Sequence, residues 1–520
     1  MPVFLTDASL CSVVPVFSQS CQSFPMSHAD LLTLRRFLAP VLGEVPEPED
    51  PGSADWWEGP RRWWSGPLDV EGLALGSLGA LVAALEALAR VRGLGARGLG
   101  ARGLGAGALA GISTSSALVS ASFGSISHLR VDGAPPDVWA PLSGFHATGD
   151  GWVRLHANYP HHAERLLAAL GLATAEGFDA ALRERNALEV ERDVQAARGV
   201  AGAVRSPQEW AATPMGQTAA SRPWIDFTLE NGTPRLASEA VPLATAEQPL
   251  AGVRILDFTR VIAGPSATRL LGALGADVLR VDPPQLPELL DQHIDTDFAK
   301  RSALADLRTP EDLARVRELA SEADVVFLGY RTSGLERFGL DPLSLRAVLP
   351  HLAVVSLNAW GREGPWADVR GFDSIVQATS GIAEIYGAQH DGGWHDGGWH
   401  EGGRHDGGWR PGALPVQALD HSTGMGMAAA AVALLAARER GVTGSAHLSL
   451  ATTAAQLLRS RPMPPDQEPS AVLEVPLRHA QSAYGLLDFV PPPLRVAGQQ
   501  LEYPHPPELY GTADLRWRTA

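Results

Sequence analysis

Cysteine is nearly missing: two occur in 520 residues, Cys11 and Cys21. Both fall in an irregular opening stretch, so neither a disulfide framework nor a thiolate zinc site can be assembled, and a reducing cytoplasm fits. Positive charge is also scarce. Lys and Arg total 42 against 58 Asp and Glu, and the formal charge of -16 opposes the phosphate neutralisation on which nucleic-acid binding depends. Long hydrophobic runs are lacking. The longest apolar helical run, GMGMAAAAVALLAA (424–437), stops well short of the ~20 residues that span a bilayer. The first 25 residues have an apolar middle without the basic segment of a signal peptide, and Met26 offers an alternative start. The expectation is a soluble cytoplasmic protein without nucleic-acid or membrane partners, long enough for two or three domains because single cores stop growing near ~250–300 residues.

What is present divides into two halves. Three stretches read as linkers: 46–66, rich in Pro, Gly and Trp; RGLGARGLGARGLGA (92–106), a five-residue unit repeated three times; and SRPMPPDQEPS (460–470). From residue 249 the pattern is regular. GVRILDF (252–258), DVLRV (277–281), DVVFL (324–328) and LAVVSL (352–357) are short apolar runs that predict buried strands, while GPSATRLLGALGA (264–276) and PEDLARVRELASEA (310–323) have helical spacing. This alternation predicts an α/β fold with a Rossmann-like parallel sheet and helices on both faces. Ligands of such sheets bind beyond the carboxyl ends of the strands. In the first half, 69–93 reads as an apolar helix. GFHATGDGWVRLHAN (144–158) reads as a hairpin around a DG turn, and HHAERLLAALG (161–171) as a helix of a smaller α+β unit.

Three strand-exit segments carry candidate chemistry. DFTRVIAGP (257–265) can form an anion-binding corner, with Gly264 permitting close approach and Arg260 adding charge; the same turn serves equally as plain structure. GYRTSGLERFGLD (329–341) sets Tyr330 beside Arg331 and Arg337, a combination suited to adenine and phosphate, though Arg337 can also pair with Glu336 or Asp341 on the surface. AWGREGPWADVRGFDSIVQATSG (359–381) places Asp373 at a helix start, as a site carboxylate or as an ordinary cap.

Taken in order, DFTRVIAGP, LGALGADVLRVDPP, AKRSALADLRTPED, ADVVFLGYRTSGLERFGLD, GREGPWADVRGFDSIVQATSG and ALDHSTGMGMAAAAVALLAA resemble the family III CoA-transferases, the CaiB/BaiF group, from about 249 to 457. The resemblance implies a Rossmann-like domain joined by long linkers to a small domain, in chains that interlock as dimers. It implies acyl-CoA and a carboxylic acid as substrates, with no permanent cofactor and no metal. By position it assigns Arg260, Val261 and Ala263 to the loop that contacts CoA, and Tyr330, Arg331 and Arg337 to its adenosine end. The catalytic aspartate falls on Asp373. Racemases of acyl-CoA thioesters in the same family carry a histidine just before this aspartate, where this chain has Phe372. Their second aspartate, which transferases share, falls on Asp420. Transfer is therefore the expected reaction, with a racemase or isomerase and an inactive CoA-binding homologue or metal-binding accessory as alternatives.

Departures stand beside the matches. Gly329 replaces an asparagine, Arg362 a glutamine, and Asp282 a glutamate of the family pattern. The segment 144–225 resembles the family's small domain yet precedes the Rossmann half, and 67–93 resembles the helix that recurs at 418–438. The chain thus reads as a leader (1–45), a partial transferase-like segment (46–143), a small domain (144–240), the Rossmann-like domain (249–460) and a tail (461–520). It would assemble as a homodimer or fold as an intramolecular pseudo-dimer. HDGGWHDGGWHEGGRHDGGW (390–409) repeats histidine every five residues, a period that does not align His390, His395, His400 and His405 on a helix face. It reads as an expanded surface loop within 388–412 rather than a metal cage.

Overall fold

The computed structural model describes residues 31–43, 56–94, 111–232, 244–387, 408–460 and 468–518 apart from 473, 475 and 476, together with the backbone of 393–395 and 398–400. The expected hairpin forms as β1 (Gly144–Ala147) and β2 (Trp152–Leu155). With β3 (Ala201–Ala203) it makes an antiparallel three-stranded sheet. The main sheet has seven strands: β4 (Asp226–Asn231), β5 (Arg254–Phe258), β6 (Asp277–Asp282), β7 (Arg301–Leu304), β8 (Val325–Leu328), β9 (Ala353–Asn358) and β10 (Val442–Ser449). Their order is β7-β6-β5-β8-β9-β10-β4, all parallel except the β10–β4 pair.

The pleat of each strand sends successive side chains to opposite faces, and the core follows that period of two. Ile255, Val278, Val325, Phe327 and Val355 enter one apolar cluster, while Leu256, Leu279, Val326, Leu328 and Val354 enter the other. The first face is covered by α1 (Val70–Arg92), α3 (Ala263–Ala273) and α5 (Ala418–Arg438); α2 (Ser116–Phe123) and α4 (Asp373–Ser380) flank them, and α6 (Leu450–Arg459) follows β10. Helix Pro310–Glu322 and Trp517 close the second face. Helix α1 is apolar and long enough to cross a membrane; here it is nearly all buried, packed along α5.

The two packed helices begin alike. Leu68–Asp69 precedes α1 as Leu419–Asp420 opens α5, and each helix is followed by a strand, Thr114–Ser115 or β10, that runs into a serine-capped helix. Ser115 caps α2 by accepting from Leu118 N at 3.2 Å, and Ser449 caps α6 by accepting from Thr452 N at 3.1 Å. The similarity of 67–93 to 418–438 is therefore repeated in conformation. The carboxylates differ in use: Asp69 caps its own helix through Gly72 N and pairs with Arg61 at 2.7 Å.

Part of 46–66, expected as linker, is packed. Trp57–Glu58 pairs in parallel with Thr114–Ser115, Trp63 is buried, and Glu71 accepts from the amides of Trp63 and Trp64. Large aromatic surfaces gain too much on burial to remain in solvent. Helix α1 ends at Gly93, whose left-handed φ of 66° closes it. The glycine repeat beyond 94, Cys11, Cys21 and Met26 lie outside the described residues, as do the side chains of the histidine repeat. Of that repeat, the backbones of Gly393–His395 and Gly398–His400 pair antiparallel.

Candidate active site

Chain order in the main sheet reverses between β5 and β8, so loops leaving those strands diverge and open a crevice at their carboxyl ends. The loop after β9 is anchored on Asn358, whose Nδ2 donates to Gly361 O (3.0 Å) and whose Oδ1 accepts from Gly361 N (2.6 Å). Trp360 packs edge-on against Trp366, with centroids 4.7 Å apart. This scaffold delivers Asp373 as the first residue of α4, the cap position being Phe372.

Asp373 does not cap its own helix. Its Oδ1 accepts from Gln377 Nε2, one turn on, at 2.5 Å, and its Oδ2 accepts from Asp420 N, at the start of α5, at 2.9 Å. Gln377 is itself fixed, accepting from Leu414 N at 2.8 Å. Two close approaches bring these parts together. A Cβ on Gly424 of α5 would lie 2.3 Å from Ala263 O of α3, and one on Gly202 of β3 would lie 2.7 Å from Thr379 Cγ2 of α4. Glycine alone permits either contact.

Burial pushes the Asp373 carboxyl up to about 6, against the hydrogen bond from Gln377 and the amides of Asp420 and Leu419, which favour its ionised form. Asp420 is pushed further, first by burial and then by the charge of Asp373. Burial and the neighbouring charge favour the protonated form of Asp420, so within the pair Asp373 is the acid that ionises more readily. A carboxylate that is poorly solvated, held by donors and only weakly influenced by a guanidinium, that of Arg154, is a competent nucleophile.

A cavity of about 690 Å³ opens beside it. Its walls come from six parts of the chain: 123–141, 156–159, 261–262, 289–295, 372–374 and 413–421. Both halves of the sequence are therefore needed to enclose it. His156 lies flat against Phe372, with centroids 3.8 Å apart and planes 11° from parallel. Burial, then Arg154, holds His156 at about 3, and burial, then Arg269, does the same to His421, so both lining imidazoles are neutral.

The residues expected to contact CoA divide in position. Val261 lines the cavity in a left-handed conformation, φ 68°, unusual for a β-branched residue. Its amide donates to Glu288 Oε2 at 2.9 Å. Arg260 donates to Pro287 O at 2.7 Å and lies 4.9 Å from the Tyr159 ring centroid; Ala263 is buried at the first turn of α3. Tyr330, Arg331 and Arg337 follow β8 away from the cavity wall. The Tyr330 hydroxyl donates to Asp282 at 3.3 Å, Arg331 pairs with Asp368 at 3.4 Å, and Arg337 is exposed over Phe338. Near Arg331 the positive charge is dense. Burial, then Arg331, Arg165 and Arg198, lowers Arg370 to about 10.

Glu288 is the functional-site residue that the sequence reading missed. It accepts from Tyr159 Oη (2.5 Å), Arg280 Nη2 (2.8 Å) and Val261 N, joining the small sheet's neighbourhood to the loop after β5. Burial works to raise its carboxyl, but Arg260 and Arg280 outweigh it and hold it at about 2. The PPQLPELL stretch around it has no periodicity that could have singled it out. Gln377, four residues after Asp373, was findable by helical spacing. Among the described residues no group of three His, Cys, Asp or Glu side chains is placed to hold a metal ion.

Comparison with known proteins places this geometry. Residues 250–481 match the model of CoA-transferase family III. The chain is 39% identical to succinate–glutarate CoA-transferase of Agrobacterium fabrum over 157 residues, 27% of this chain and 39% of that protein. It is 30% identical to an acyl-CoA transferase of Gibberella moniliformis over 45% of this chain and 44% of that one. It is also 30% identical to a probable fatty acyl-CoA transferase of Mycobacterium tuberculosis, over 38% of this chain and 50% of that one. The chain thus spans half or less of the length of these relatives. Among solved structures, a CaiB/BaiF family protein from Brucella suis is 27% identical over 41% of this chain and 56% of its own, with a TM-score of 0.32. Over residues 250–481, the chain is similar to CoA-transferase family III.

Proposed function

We propose that this protein moves CoA from an acyl-CoA thioester to a free carboxylic acid, with Asp373 as the covalent carrier. The observation that carries the reading is the Asp373 carboxylate itself: on the cavity wall, ionised at neutral pH although buried, and fixed by Gln377 and the first amides of α5. The names of its relatives, CoA-transferases throughout, support it.

The steps balance without a cofactor or metal in the scheme. An Asp373 oxygen attacks the thioester carbonyl, the C–S bond breaks, and CoA leaves as thiolate, giving a mixed anhydride. The thiolate attacks the Asp373 acyl carbon, the bridging C–O bond breaks, and the donor acid departs as carboxylate. The resulting aspartyl-CoA thioester is attacked by the acceptor carboxylate, and the reverse pair of steps returns Asp373 with a new acyl-CoA. Splitting one exchange into four addition–eliminations lowers each barrier. The Asp420 amide already points at Oδ2, so it stays on the acyl oxygen and takes up the charge of each tetrahedral intermediate centred on Asp373. One such preorganised donor is worth on the order of 3 kcal/mol.

Asp373→Ala should lose at least about a thousandfold in turnover with every acid pair while still binding CoA. Incubation of the unaltered protein with acyl-CoA should leave CoA, detectable by mass, on the peptide containing Asp373. Unchanged turnover in the alanine variant sinks the proposal.

A further inference from the structure

The cavity walls bear on which acid is served, a question that rests on the transfer reading above. Apolar side chains make up much of the cavity lining, among them Phe123, Ile126, Val138, Trp139, Leu289 and Val416, interspersed with uncharged polar ones such as Asn158, Gln292 and Gln417. Charge on the walls is almost all of one sign. Besides Asp373 and Asp420, the acids Asp137, Asp291 and Asp295 line it; among the described residues the single lining guanidinium is that of Arg130.

Arg130 is already engaged, donating from Nη1 to Ser127 O at 2.9 Å and to Leu129 O at 2.6 Å. Asp295 is matched by Arg269 at 3.4 Å. Asp291 accepts from the Asp137 amide at 2.9 Å, and neither of these two acids has an ion pair among the described residues. His156 and His421, the other bases on the wall, are neutral. Arg154 is fully buried, its guanidinium 4.8 Å from the Trp139 ring centroid and 5.0 Å from that of Phe145. A second carboxylate entering with the substrate would shed its water and meet acids on the wall, where Arg130 is already engaged and the buried Arg154 acts on Asp373, and an unpaired charge in such a site is the costliest group to admit. An apolar tail would displace water from apolar wall, a gain that grows with its area.

We propose that the cavity selects monocarboxylic acids with an uncharged, apolar body and rejects dicarboxylates, as donor and as acceptor. The test uses the full chain with acids matched in length, hexanoate against adipate and pentanoate against glutarate. Expected is a kcat/KM at least 100-fold higher for each monocarboxylate; a ratio near one, or inverted, overturns the proposal. Calorimetry with two thioethers that cannot transfer CoA, S-hexyl-CoA and S-(5-carboxypentyl)-CoA, separates selection from chemistry. Tighter binding of the hexyl compound by 30-fold or more, with no turnover on any acid, would uphold the selectivity and remove the transfer reading; equal binding overturns the selectivity whatever the turnover. Leu290, 54% exposed on the wall, allows a gain-of-function arm. Leu290→Arg should narrow the preference tenfold or more toward the dicarboxylate, and an unmoved ratio would show that wall charge is not the selector.

Discussion

At Asp373 the proposed catalysis and stability pull in opposite directions. Burial raises its carboxyl from 3.8 to about 6, so its contribution to stability is complete below 3.8 and is lost as pH rises through 6. That difference is on the order of 3 kcal/mol at neutral pH, and it leaves a poorly solvated carboxylate facing the cavity. With Asp373 as the proposed nucleophile in its ionised form, transfer should rise with pH along a limb near 6. Gln377 hydrogen-bonds that ionised form, so Gln377→Met should move the limb upward by on the order of one unit. It should also destabilise the fold by about 1–2 kcal/mol, because the Leu414 amide loses its acceptor. Asp420→Asn should leave the limb in place, because the residue it replaces is already neutral when Asp373 ionises. A pH–rate profile of the three proteins checks this, and a limb that follows Asp420 instead would reassign the charge within the pair.

At the scale of elements, the loop after β5 is the part whose shape depends most on one side chain. Val261 sits at positive φ, a conformation that costs about 1–3 kcal/mol for a residue of its type, and Glu288 holds its amide while pairing with Arg260 and Arg280. Glu288→Gln removes the ion-pair partner of Arg260 while Arg280 keeps Asp282 and Asp297, and should cost about 3 kcal/mol. It should raise KM for acyl-CoA more than it lowers kcat, as steady-state kinetics would show. The sign with pH is fixed: a depressed carboxyl stabilises fully above 4.5 and loses that contribution as pH falls toward 2, so variant and parent should converge in acid.

Legibility in the sequence follows the same physics. Strands β5, β6, β8 and β9 were readable because both faces are buried, which makes them apolar runs bounded by turn residues. Strand β10, VTGSAHLS, is buried but small and polar, and β4, DFTLEN, is a half-exposed edge; neither has a distinctive pattern. Asp373 was legible through the ordered blocks around it. Its contact with the start of α5, 47 residues on, was not, because only the packing of α3 and α5 through Gly424 creates it.

At the scale of the molecule, the two halves share one interior. A single apolar cluster runs from Leu31 through α1, α3 and α5 to Leu501, and the cavity takes walls from both sides of the chain. The repeated helix–strand–helix unit is not a spare copy hung on a finished enzyme: α1 covers α5, which carries Asp420. The matching carboxylate, Asp69, is spent on its own helix cap and on Arg61, so the repeat serves as structure while the proposed chemistry stays with α4 and α5. If the interior is continuous, a fault placed far from Asp373 should unfold everything together. Gly76 of α1 provides one, because a Cβ there would lie 1.8 Å from Leu31 O, a backbone atom that cannot step aside. Gly76→Leu should therefore cost about 1–3 kcal/mol or more. Chemical denaturation followed at once by tryptophan fluorescence and by far-ultraviolet dichroism should give a single shifted transition in which both probes coincide. Two separated transitions, with only the first one shifted, would mean that the N-terminal half melts alone and that the site does not depend on it.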